Sequence, residues 1–337
     1  MSAAEVLVES TRGGIVESVH HGALVVVDTS GDIKWSIGDA ELLSFPRSSL
    51  KPFQLLALVQ RGGVERFGLE QRDLAIASAS HSGEEIHVDA VSRLLAKIGA
   101  SQDDLRCGVH PPADEKAAQR VAKPGAVHNN CSGKHAGMLA LARLLDAPLE
   151  GYLEVDHPAQ RAIRETLLGV LELDPNDLPV GIDGCSAPAY AVSLRKMARG
   201  FTLLANPGAA ATHWAGPLQQ VSEAMRAYPE LVGGTHGRAD TQLMQAASGT
   251  VVAKGGAEGY FGMGHTSGQG VAFKILDGDA ARRARGIVVF AAVVRLGWVP
   301  EVAIQEHGPS QPIHNWAGKL TGEARAAAVL AAGPRNR

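Results

Sequence analysis

Ser48 and Lys51 stand three residues apart in FPRSSLKPFQ (45–54). A helix beginning there projects the hydroxyl and the amine from one face. Leu50, Phe53, Leu55, Leu56 and Leu58 have helical spacing, and Pro52 suits a first turn, where its missing N–H costs little. The pair is either a nucleophile with its base or a helix cap beside a solvated lysine. At a helix N-terminus, free N–H groups and the positive end of the dipole stabilise an alkoxide and a tetrahedral oxyanion. The same spacing recurs at Ser193 and Lys196 beside Arg195 and Arg199, which reads as the cationic last turn of a helix and as structural. A lysine base works only when neutral, and bringing its pKa from about 10.4 to near 7 takes roughly 4 to 5 kcal/mol. Burial supplies part of that and a second lysine nearby supplies more. Lys254, ending the strand TVVA and followed by Gly255 and Gly256, is the candidate; the alternative is an ordinary strand-end lysine.

Two further stretches hold reactive groups. LAIASASHSGEE (74–85) reads as a buried strand running into serines, His81 and Gly83, with Ser80 at the strand-to-loop boundary. Such residues also form plain turns and caps, here completed by Glu84 or Glu85. In HNNCSGKHAGMLALARLL (128–145), Cys131, Lys134 and His135 fall at i, i+3 and i+4 as a helix begins. Cys185 sits in a glycine-rich turn, GIDGCSAPAY, before another expected helix, with Asp183 two residues earlier. Two turn cysteines near a nitrogen donor suit zinc, and side-chain chemistry alone favours His135 as that donor. The 54-residue separation is no zinc-finger spacing, and buried unreactive thiols are the alternative.

These residues need a scaffold of adequate size. The chain has 337 residues, 45% hydrophobic and 4% aromatic, and can bury one large core or two modest ones. A net charge of -3 and pI near 6.5 give no footprint for nucleic acid or an anionic membrane surface. The start MSAAEVLVESTRGG lacks a secretory pattern, and no segment approaches about 18 consecutive apolar residues, so a cytoplasmic enzyme of small molecules is expected. Three cysteines, Cys107, Cys131 and Cys185, argue against a disulfide framework.

Strand patterns occupy VLVES, GIVESVHHGALVVVD and IKWSIG, with HHG and TSGD as turn signals. Helical periodicity dominates from about 85 to 230, in IHVDAVSRLLAKIG, HPAQRAIRETLLGVLEL, APAYAVSLRKMARG and PLQQVSEAMRAYPEL. Strands return in GTVVAKGGAEGYFGMG and GQGVAFKILDG, before an apolar helix from about Ala280 to Leu296. The expected fold is α/β in the α+β sense: an antiparallel sheet flanked by helices, with a helical lobe. Strands from about 1–45 and 245–337 share the sheet, about 46–244 forms the lobe, and 1–337 is a single catalytic unit.

Taken in order, PRSSLKPFQ, ASASHSGE, HNNCSGKHAGML, GIDGCSAP and AKGGAEG closely resemble the rhizobial-type L-asparaginases, also called the asparaginase II or third-class family. The resemblance implies a fold similar to serine β-lactamases, penicillin-binding proteins and serine-dependent glutaminases. It implies two catalytic serine-lysine pairs, Ser48 with Lys51 and Ser80 with Lys254, and a Zn2+ ion on Cys131, Cys185 and Lys134. A lysine ligand must lose its proton first, which His135 would not, and His135 becomes a contact to the substrate or to the ligands. Arg47 and Asp183 match motif positions near the pocket and would hold the charged groups of an amino acid. Cys107 matches no functional position. The implied reaction is hydrolysis of L-asparagine to aspartate and ammonia by a homodimer: Ser48 attacks after losing its proton to Lys51, and Ser80 with Lys254 relays a proton. Which serine attacks first stays open. The rival readings are a serine-lysine amidohydrolase acting on another amide, a self-cleaving threonine hydrolase at Thr250, and a zinc-stabilised binding protein.

Overall fold

The strand segments near the two ends of the chain hydrogen-bond to one another, and the sheet they make carries the rest. The computed structural model describes residues 3–299 and 308–332. Residues 1–2, 300–307 and 333–337, which the expected strand segments also take in, lie outside the described residues. In chain order the strands are β1 (Glu5–Arg12), β2 (Ile15–Val27), β3 (Ile33–Ile37), β4 (Leu43–Ser44), β5 (Val180–Ile182), β6 (Pro188–Tyr190), β7 (Val192–Ser193), β8 (Val251–Gly255), β9 (Tyr260–His265), β10 (Gln269–Ile275), β11 (Ser310–His314) and β12 (Leu320–Ala326). The main sheet runs β11-β12-β1-β2-β10-β9-β8, all antiparallel, with β3 also paired to β2. Two small sheets, β4-β7 and β5-β6, stand apart from it.

The helices are α1 (Lys51–Val59), α2 (Gly63–Phe67), α3 (Gln71–Ala77), α4 (Glu85–Lys97), α5 (Glu115–Arg120), α6 (Ser132–Leu144), α7 (Pro158–Val170), α8 (Leu194–Ala205), α9 (Thr212–Ala227), α10 (Pro229–Val232), α11 (Ala239–Ala246), α12 (Arg285–Arg295) and α13 (Ala328–Ala332). Helix α8 packs on β2, β9 and β10. It comes unusually close because Gly262, Gly264 and Gly270 face it. A Cβ at these positions would lie 1.9 Å from the Phe201 ring, 2.0 Å from the Phe201 carbonyl and 2.1 Å from the Ala198 carbonyl. The alternate residues Phe261, Met263, Val271 and Phe273 point to the other face and are buried as well. The apolar helix α12 packs against β1, β9 and β12.

Four local expectations need correction. HHG is no turn: β2 runs straight through His20, His21 and Gly22, because Gly22 lets the Lys274 carbonyl of β10 and Leu7 of β1 approach to 2.3 and 2.6 Å of where a Cβ would sit. LAIASA is not a strand but mostly helix α3, packed against α4, α6 and α9; an apolar run buried on every side loses its periodicity. APAYAVS forms β6 and β7, and α8 begins only at Leu194. Ser193 therefore starts that helix, its Oγ accepting from the Lys196 N–H at 3.3 Å, so the pair remains structural but caps the N-terminus. The apolar helix expected from Ala280 starts at Arg285, after a turn in which the Asp279 carboxylate accepts from the N–H groups of Arg283, Ala284 and Arg285.

Candidate active site

Arg47–Leu50 forms one turn of 3-10 helix that runs directly into α1. Two contacts press this turn against the end of β8. The Ser49 hydroxyl donates to the Lys254 carbonyl at 2.7 Å, and a Cβ on Gly256 would lie 2.3 Å from the Pro46 carbonyl. The serine turn and the lysine strand are thereby held at backbone contact. Ser80 lies in the loop after α3, not after a strand. Its N–H donates to the Val232 carbonyl at 3.0 Å, and Asn130 Nδ2 donates to its Oγ at 3.3 Å. Ser48 and Ser80 open into one cavity of about 700 Å³, also lined by Asn130, Arg238, Gly255, Gly256, Glu258 and Arg285.

Both lysines are buried. Lys51 Nζ donates to the Ala79 carbonyl at 2.7 Å and to Cys131 Sγ at 3.2 Å. Lys254 Nζ donates to the Gly255 carbonyl at 2.9 Å and lies 3.5 Å from Asp240 Oδ2. Neither serine hydroxyl is hydrogen-bonded to a lysine amine among the described residues, and catalytic hydrogen bonds often tighten only around substrate. Burial is the main force lowering Lys254, to about 7; Arg238, Lys51 and Arg285 add to it and Asp240 opposes it. Burial would raise Asp240, but Arg238, Lys254 and Arg285 together hold it ionised below its usual range. Lys254 is thus a group that exchanges its proton near neutrality.

Behind this cavity lies a thiol cluster. Cys131 precedes the first residue of α6, Cys185 sits in the turn between β5 and β6, and Lys134 Nζ donates to Cys185 Sγ at 3.0 Å. Cys185 is therefore in a hairpin, not before a helix. The two thiols act on each other: Cys185 is pushed toward its protonated form and Cys131 is drawn toward thiolate, with Lys51 and Lys134 adding their positive charge. Burial opposes the protonation of Lys134, and the two thiol groups outweigh it and raise its pKa. Two sulfurs and an amine are a soft donor set of a chemistry that suits zinc. Among the described residues, no group of three or more His, Cys, Asp and Glu side chains is arranged for a metal, so a site here depends on the lysine.

The remaining expected residues fall nearby. His135 is fully buried, its Nδ1 2.6 Å from the Tyr152 hydroxyl and its Nε2 without a partner; burial first, then Lys134 and Lys51, hold it neutral. It does not line the serine cavity. Arg47 donates through Nε and Nη2 to Asp183 Oδ1 at 3.1 and 2.6 Å, and with Lys51, Lys134 and Tyr190 the pair lines a separate cavity of about 10 Å³. Cys107 is buried against the Ala126 carbonyl. Sequence reading missed Asp240 and Arg238, which sit in no quoted motif, and Ser49, overshadowed by its neighbour. Asn130 lay inside HNNCSGKHAGML and was passed over.

No helix among the described residues is long and apolar enough to cross a membrane. No curated protein matches the chain. Among solved structures it is similar to a β-lactamase from Mycobacterium bovis, at 13% identity and TM-score 0.43 over 82% of this chain and 95% of that one. It is also similar to a Bacillus glutaminase, at 14% identity and TM-score 0.39 over 83% and 92%. A third match is Mglu in an L-glutamate binding form, at 14% identity and TM-score 0.39 over 82% of this chain and 60% of that longer one. The profile of L-asparaginase II matches residues 8–326. The chain belongs to the L-asparaginase II family, a family of amidohydrolases.

Proposed function

We propose that this protein hydrolyses the side-chain amide of L-asparagine to L-aspartate and ammonia by serine nucleophilic catalysis. The observation that supports it most is the shared cavity: Ser48 and Ser80 both open into it, and Lys254, a buried lysine that titrates near 7, precedes Gly255 of its lining and is tied to the serine turn through Ser49. Ser48 Oγ attacks the amide carbon and passes its proton to the Lys51 amine. Collapse of the tetrahedral intermediate breaks the C–N bond, and a proton from the lysine–serine network leaves with ammonia. Water then attacks the acyl-enzyme and gives up its proton to the same network, releasing Ser48. Lys254 and Ser80, with Asn130 donating to Ser80, form the second branch of that network.

Cys131, Cys185 and Lys134 would hold zinc, which when bound supplies a fixed positive charge that orients the polar groups of the substrate. Lys51 donates to Cys131 Sγ, so the metal ligands and the proposed base share one contact. Arg47 keeps Nη1 unbonded among the described residues and is the proposed partner of the α-carboxylate, with Asp183 holding it in place. The test is ammonia release from L-asparagine, with D-asparagine, L-glutamine and a chromogenic β-lactam as comparators. Turnover of the β-lactam without turnover of L-asparagine would refute the reading.

A further inference from the structure

The turn between β8 and β9 carries an exposed carboxylate that forms no hydrogen bond or ion pair among the described residues. Glu258 has φ +56°, a left-handed conformation that suits glycine, yet the glycines of this turn stand beside it at 255, 256 and 259. The strained conformation is held from several sides. Gly256 N–H donates to the Tyr260 carbonyl at 2.9 Å, Arg285 Nη1 to the Gly256 carbonyl at 2.8 Å, and the Lys274 ammonium to the Glu258 carbonyl. Backbone strain maintained by surrounding structure marks functional positions. Glu258 lines the cavity into which Ser48 and Ser80 open, and its carboxylate accepts no hydrogen bond and joins no ion pair among the described residues.

Two of the three other acids that line the cavity are committed. Asp279 holds the turn before α12, and Asp114 accepts from the Ala117 N–H at 2.7 Å. Glu115 has no side-chain partner among the described residues either, but it occupies the first turn of α5, where its charge favours the helix dipole. Asp183 is occupied by Arg47. An amino-acid amide brings one cation, its α-ammonium, and Glu258 is the unengaged anion facing it. Arg47, the proposed carboxylate partner, is close enough for the charge of Glu258 to act on it.

We propose that Glu258 binds the α-ammonium group of the substrate and sets the selectivity for α-amino amides. This rests on amino-acid amide hydrolysis at the Ser48 and Ser80 cavity. Steady-state kinetics would compare the wild type, Glu258→Gln and Glu115→Gln on L-asparagine and on succinamic acid, which has hydrogen in place of the α-ammonium. Glu258→Gln is expected to raise KM for L-asparagine about tenfold or more, the loss of a hydrogen bond to a charged group, with kcat within about threefold. Succinamic acid should be unaffected, and Glu115→Gln should behave as wild type on both. A KM for L-asparagine within twofold of wild type in Glu258→Gln, or equal losses on the two amides, would overturn the proposal. Calorimetric titration with L-aspartate and with succinate separates it from the reaction itself. The wild type should prefer L-aspartate and Glu258→Gln should lose that preference, whether or not L-asparagine is turned over. No such preference in the wild type would also overturn it.

Discussion

Replacing Lys254 by methionine should stabilise the fold at neutral pH while removing activity. Lys254 is fully buried, and its pKa falls from 10.5 to about 7. At 1.36 kcal/mol per pH unit, that gap is a penalty of about 5 kcal/mol on the protonated form. The folded value lies below the unfolded one, so between about 7 and 10 the unfolded chain binds more protons, and stability rises with pH by up to about 1.4 kcal/mol per unit. Below 7 both states are protonated and the full penalty is present. Methionine fills similar space and titrates nowhere. It gives up the bond to the Gly255 carbonyl and the 3.5 Å approach to Asp240, together worth about 1 to 3 kcal/mol. The net gain expected at pH 7 is about 2 to 4 kcal/mol.

Urea unfolding of both proteins at pH 7, 8 and 9 reads this directly. The difference between them cancels what the cysteines and histidines contribute at each pH. The advantage of Lys254→Met should be largest at pH 7 and shrink by roughly 1 kcal/mol per unit toward pH 9. A methionine variant less stable by the same amount at all three values would refute the reasoning. It would mean that Lys254 sits charged and satisfied by Asp240, with no tendency to give up its proton near neutrality.

Other outcomes are open to direct measurement. Turnover should rise between pH 6 and 8 with a midpoint near 7 as Lys254 loses its proton, and Asp240→Asn should move that midpoint down, because the carboxylate opposes the lowering caused by burial and by Arg238, Lys51 and Arg285. A flat profile would count against a lysine in the proton path. Ser48→Ala and Lys51→Ala should each lose about a hundredfold or more in kcat with melting unchanged, and retention of a tenth of wild-type rate would remove them from the mechanism. Metal analysis should find zinc in the wild type and in His135→Ala but not in Cys131→Ala, Cys185→Ala or Lys134→Ala; zinc lost only from the histidine variant among the nitrogen donors would reverse that assignment. Gly256→Ala, whose Cβ would meet the Pro46 carbonyl at 2.3 Å, should lose activity and stability together, checked by turnover and melting.

The sheet-and-helix class was legible because apolar and β-branched residues alternate in the end segments, and because α4, α7 and α9 are amphipathic with one buried stripe. The failures share one cause. Helix α3 is enclosed by α4, α6 and α9, so its apolar run carries no period, and its N-terminus is set by the Asp73 carboxylate accepting from the Glu70 N–H at 2.8 Å. PAYAVS is apolar and short, and only pairing with β5 across a hairpin and with β4, distant in sequence, makes strands of it. Gly22 looked like a turn residue because the sequence cannot distinguish a glycine needed for its dihedral freedom from one needed for its missing Cβ.

The candidate site divides in the same way. Ser48, Ser80, Lys51, Lys254 and the two cysteines lie in short motifs, and their types announce chemistry. What organises them is a pair of buried acidic groups, one of which no motif announces. Asp240, on α11, sits among Arg238, Lys254 and Arg285. Cys131, at the start of α6, sits between Lys51 and the Lys134–Cys185 contact. A buried lysine left without an anion would either unfold the chain or stay permanently neutral, and neither state can pass a proton back and forth. With Asp240 beside it, Lys254 keeps proton exchange within reach. Asp240 is invisible to spacing arguments because its partner lysine lies fourteen residues away on another element, and the two meet only when α11 packs on β8.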